Sequence, residues 1–208
     1  TEPDVTTTAP VTIDLTGSMQ VSSTSSHVAT ASSDGGGGGL VAVQDMSADA
    51  EVTGDTTAHL GDGATVLDAN LVQVSAEIAA ASASSTVVVG SGGGLDIAGT
   101  DGSATSEPTV QASIGDGVVI GGTAADPQPI VGDVSVSAIG RAEADASGDA
   151  SGGGVIRAGS PSSDATVSPT VDAHVGTVGA TTPTVVQTLG GITVSASLAK
   201  DGETYDDS

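Results

Sequence analysis

The sequence predicts an all-β chain wound as a parallel β-solenoid, with an antiparallel β-sandwich or long-hairpin fold as the alternative. Three observations predict it: an apolar/polar alternation that outlasts any ordinary strand, an internal period of about 60 residues, and a composition that leaves only small side chains to fill a core.

The alternation is clearest over residues 132 to 155, "GDVSVSAIGRAEADASGDASGGGV". Val134, Val136, Ala138, Gly140, Ala142, Ala144, Ala146, Gly148 and Ala150 hold the even positions, and Ser135, Ser137, Arg141, Glu143, Asp145, Ser147 and Asp149 hold odd ones; Ile139 is the exception. A period of two is the signature of a strand with two unlike faces. At about 3.3 Å per residue such a run would reach roughly 55 Å, so the chain is expected to bend, with Gly140 and Gly148 as corners.

The period shows in three landmarks that recur in the same order. "IDLTGS", "VQVSAE", "VSVSAI" and "ITVSAS" begin at Ile13, Val72, Val134 and Ile192. Glycine runs ending at Leu40, Leu95 and Val155 follow the first three, and then come "TTAHLGDG", "PTVQASIGDG" and "PTVDAHVGTV" from Thr56, Pro108 and Pro169. These landmarks divide the chain into an extended arm (1–10), a β-repeat domain (11–198) and an acidic tail (199–208). The copies span 11–69, 70–131 and 132–189, with a partial fourth at 190–198. Each is expected to form three coils of about 20 residues. The Ala-rich run Ala76–Ala83 follows the same strand lead as the other copies and is read as strand, not helix.

The core must be built without aromatics: the chain has no Phe, Trp or Cys and a single Tyr, Tyr205. Val, Ile and Leu make up about a fifth of it, close to the level at which a highly charged chain stays disordered. The kept alternation argues against disorder, since a disordered chain has no reason to hold Asp and Ala on opposite parities. In a parallel stack, where coils lie about 4.8 Å apart, small inward residues suit a narrow interior.

Charge narrows the partners. With 3 Lys+Arg against 26 Asp+Glu the formal net charge is -23, and Arg141, Arg157 and Lys200 are the only cations apart from histidine. Nucleic acid is excluded, because phosphate binding needs a basic surface. The acids read first as a solvated outer face, stacked coil on coil, whose repulsion salt would relieve. The sharper reading is Ca²⁺, which favours carboxylate and carbonyl oxygens. The candidate ligands are Asp62 and Asp116 in the two "GDG" turns and Asp96 in "GSGGGLDIAG", which sits near the GGxGxDxUx calcium pattern; Val41 and Ile156 stand opposite Asp96 in the neighbouring copies.

No catalytic constellation appears. There is no GxSxG, no GK[ST] after a glycine run, and His27, His59 and His174 read as surface residues, the last two aligned across copies with Ser113 between. No apolar run is long enough for a membrane helix, and Asn70 is followed by Leu71 and Val72, so no N-glycosylation sequon exists. The start at Thr1 is read as a removed leader or a piece of a longer parent.

The pattern "GDVSVSA…AxAxAxG…GGGV…PTVxAxVG" over residues 11–198 resembles the Gly/Ala/Val/Thr-rich repeats of very large secreted bacterial proteins, the filamentous-haemagglutinin-like and leukotoxin-like adhesins. The first copy departs from it, with Asp55, Thr56 and Thr57 in place of "PTV". The resemblance implies an extracellular solenoid stalk or filament, concerned with adhesion or matrix formation, self-associating end to end or continuing a longer chain. It carries no catalytic residues. The competing expectation is a tailspike-like β-helix that binds or degrades polysaccharide, for which the aromatic platforms are missing.

Overall fold

The computed structural model describes residues 11–122, 131–200 and 203–204; the arm 1–10 and most of the tail lie outside them. Every element is a strand: β1 (Thr12–Asp14), β2 (Ser18–Leu60), β3 (Thr65–Leu67), β4 (Leu71–Ile114), β5 (Val119–Ile120), β6 (Asp133–Gly140), β7 (Glu143–Val167), β8 (Thr170–Val175), β9 (Val185–Val186), β10 (Ile192–Lys200) and β11 (Glu203–Thr204).

Pairing is parallel throughout, except for the short β10–β11 contact. This overturns the antiparallel alternative. Met19 pairs with Val72, Val72 with Val134, and Val134 with Ile192, so bonded neighbours lie a whole period of about 60 residues apart. The expected coils of 20 are therefore wrong. Each pass of the chain makes one large circuit, and β4 carries β2 on one edge and β6, β7 and β8 on the other. The first landmark also shifts: "MQVSST" from Met19, not "IDLTGS", is the partner of "VQVSAE", while Ile13 pairs with Val66 in a small second sheet of β1, β3, β5 and β9.

The circuit is flattened. In β2, 43 residues long, the outgoing half faces the returning half through side chains. Ser25 hydrogen-bonds Thr56, His27 lies against Gly54, and Gly37 and Gly35 lie against Gln44 and Met46. In β4 the Ser106 hydroxyl donates to the Ala81 carbonyl at 3.0 Å, and Ser85 lies against Gly102. The reversals fall at the glycine runs, and Leu40, Gly94 and Val155 drop out of the ladder at the tip. Residues without side chains beside the tip let two arms meet closely, which is why glycine concentrates there. The long-hairpin alternative thus had the path of each pass, though not its hydrogen bonding.

Side-chain volume follows the gap between the arms. At the base, closed by the small second sheet, Val66, Val72, Val74, Ile78, Val110, Ile114, Val118 and Ile120 are fully buried. Farther out the columns that line the gap are small, with Ala29, Ala83 and Ala144 neighbours along the ladder of one arm and Ala50, Ala104 and Ala165 along that of the other. Beyond this waist a second cluster sets Val87 and Val89 with Ala98 and Ala48. Gly140 and Gly148 are not corners. Both face inward, where an added Cβ would approach the Val171 methyl to 2.6 Å and the Thr100 hydroxyl to 2.8 Å, and the ladder is interrupted instead over 141–142. His27 likewise turns inward rather than outward, its Nε2 buried without a partner.

Candidate functional site

Three places gather polar groups. The first is the column of turns that ends each return arm. Gly63 and Gly117 sit at φ +68 and +67, left-handed angles that favour glycine. Each Asp then reaches the next pass: Asp116 N–H donates to Asp62 Oδ1 at 2.9 Å, and Thr177 N–H donates to Asp116 Oδ1 at 2.6 Å. Asp133 repeats the device, accepting Gly191 N–H at 2.8 Å. These carboxylates fasten one pass to the next.

Beside the turns runs the column His59, Ser113 and His174. His59 Nδ1 lies 2.9 Å from the Ser113 hydroxyl, His59 Nε2 lies 4.0 Å from Asp62, and His174 Nδ1 lies 2.7 Å from Asp172, which also accepts from Gln111 at 3.3 Å. Ser113 is buried. The two histidines stand two rungs apart, about 9.6 Å, too far to share an ion bound at about 2 Å.

Asp62 and Asp116 therefore come together on adjacent turns, as two of the six to eight oxygens Ca²⁺ takes. Asp96 lies elsewhere, fully buried near the tip. Its Oδ1 accepts from Ser91, its Oδ2 has no partner, and its ladder neighbours are Ala42 and Arg157 rather than Val41 and Ile156, which flank Leu95. Among the described residues no three His, Cys, Asp or Glu converge as a metal site.

The remaining place is a cavity of about 440 Å³ at the interruption between β6 and β7, lined by Ala80, Ser82, Arg141, Glu143, Val167 and Leu198 among others. Arg141 Nη1 donates to Glu77 at 2.6 Å. Pairing of β10 with β6 stops at Leu198, and the cavity lies beside that end, against the start of β7. The chain matches no protein-family model, no curated protein and no solved structure. No helix is long and apolar enough to cross a membrane among the described residues.

The ladder register interleaves the acids with neutral residues. Among the described residues no ladder pair joins two acids. Asp34 and Asp149 flank Val88, and Asp49 and Asp164 flank Ser103. The acids alternate with neutral residues instead of stacking directly as expected. Aligning the passes by Met19, Val72 and Val134 is the signal that would have found it.

Removing a turn carboxylate tests its structural role. Asp116→Ala takes the acceptor from Thr177 and should cost about 1 kcal/mol. Amide exchange at Thr177 should speed up about fivefold, the factor that about 1 kcal/mol of lost protection produces, while Gly176, bonded to the Ile114 carbonyl at 2.8 Å, stays protected. Unchanged exchange at Thr177 would show that the carboxylate does not hold the next pass.

Proposed function

We propose that this chain is a non-enzymatic, extracellular structural protein, a filament subunit or stalk segment built as a parallel β-solenoid with one circuit per period. The observation that carries the reading is the open ladder. Among the described residues β2 pairs with β4 alone, along its whole 43-residue length except Leu40, and β7 also pairs with β4 alone, along its 25 residues except Val155. Both edges present unpaired backbone groups in the register of a further parallel circuit, which is a template for pairing with another strand of the same kind. Such contacts are heterologous and do not close, so they extend a rod instead of forming a ring.

The adhesin resemblance and the acidic outer face support an extracellular, matrix-forming role; acidity keeps a long rod soluble. Negative-stain microscopy with light scattering across a concentration series tests assembly. Rods that lengthen with concentration and give a repeat of about 4.8 Å along the axis in fibre diffraction are expected. A compact particle at every concentration and salt would overturn self-assembly by this route.

A further inference from the structure

We propose that the tip of the blade is a self-association site, where two copies pair laterally through an aliphatic patch. The outward face of the return arm begins with two columns, Val41/Leu95/Ile156 and Val43/Ile97/Ala158, placed side by side by the ladder. Leu40 and Val155 cap them at the tip. Ile97 is 40% exposed and Val155 90%, with Val41, Val43, Leu40 and Ile156 between these values. Elsewhere the outer faces carry mostly Ser, Thr and Asp. A contiguous exposed aliphatic patch on such a chain is a mark of an interaction site.

Charge selects the occupant. Residues 35–44 contain no charged side chain, and the first acids on this face are Asp45 and Asp101, beyond the two aliphatic columns. A chain of net charge -23 repels its own copies almost everywhere else. The arms, about 20 residues at roughly 3.3 Å each, hold the acids of the base tens of ångströms away, several times the Debye length of about 8 Å at physiological salt. Two copies therefore meet with least repulsion at the tip, where Asp45, the next outward residue after Val43, is the acid that gives the contact its salt dependence. A flat patch three rungs deep and two columns wide is self-complementary under a twofold rotation, the isologous contact that closes at two. Its handful of side chains falls short of the roughly 20–30 residues a side of a standard stable interface, so the dimer is weak and reversible.

The contact is hydrophobic between like-charged bodies, so salt strengthens it. This surface is separate from the open ladder edges, and the two associations differ in outcome. Tip pairing doubles the particle across the blade and stops, whereas edge pairing lengthens the rod. Sedimentation velocity on the full chain in 0.15 M and 1 M NaCl, with negative-stain widths, tests the proposal. We expect a monomer–dimer equilibrium at least tenfold tighter in 1 M NaCl, and at least tenfold weaker in Val43→Asp/Ile156→Asp. Val43→Thr/Ile156→Thr keeps β-branched shape on the strand and should also weaken it, with unchanged circular dichroism showing that the fold is intact. Wild-type dimerisation in the Thr variant, weakening of the dimer by salt, or flotation with phosphatidylcholine vesicles in place of dimerisation would each overturn the proposal.

Discussion

Ala104→Leu is expected to destabilise the protein by about 1–3 kcal/mol, more than its gain in apolar surface could offset. Ala104 is fully buried at the waist, where it faces the arm carrying Ala83, also fully buried. Its ladder neighbours are Ala50 and Ala165, so no large residue beside it could shrink to make room. Leucine would have to push two arms apart, and the arms are tied along their length to the passes above and below. At the base the opposite substitution is the costly one: Ile78→Ala leaves a cavity among the Val and Ile side chains and should cost about 2–5 kcal/mol. Urea unfolding of both variants measures the pair. A neutral or stabilising Ala104→Leu would mean that the waist has slack and that the arms do not pack through small side chains.

That pairing of effects shows what the sequence could and could not reveal. Alternation from Val134 to Ala150 already identified inward and outward positions, and those inward residues do face the other arm, from buried Val134 and Val136 to Gly148 against Ser163. The size of a circuit was not legible, because parity is the same whether the chain turns every 20 residues or runs straight through Gly140 to a distant tip. Distance between the arms decides that, and it depends on volumes at facing positions far apart in sequence, such as Ser85 against Gly102. Ile13 was misplaced for a related reason: β1 and β2 both alternate, and only the ladder separates the short base strand from the long arm.

The candidate residues divide in the same way. "GDG" reads as a turn from local chemistry alone, and Asp62 and Asp116 indeed stand in turns. Their use as acceptors for the following pass needs register, as does the meeting of His59 with Ser113. Asp96 looked like one residue of a loop motif but is buried between facing arms, where Gly152 leaves room for its second oxygen.

Placing acids in register should reveal why they are interleaved. Ser103→Asp would put three carboxylates in line with Asp49 and Asp164, and Val88→Asp would do the same between Asp34 and Asp149. Like charges directly opposite in a sheet are destabilising by up to about 1 kcal/mol per pair. The double variant creates four such pairs, so a loss of roughly 2–3 kcal/mol is expected at low salt, or about 5–10 °C in melting temperature for a chain of this size. In 1 M NaCl, where the Debye length is about 3 Å, most of that loss should be recovered, because the new pairs are about 4.8 Å apart. In the native arrangement acids on the same column are about 9.6 Å apart, well inside the Debye length of about 30 Å at 10 mM salt, so wild type should also gain stability with salt, but less. Ser103→Asn with Val88→Asn matches size and polarity without charge. Thermal melts of the three proteins in 10 mM and 1 M NaCl decide the matter. Equal midpoints for the Asp and Asn variants at low salt, or a gap between them that salt leaves unchanged, would show that the spacing of the acids is not what lets so negative a chain stack its passes.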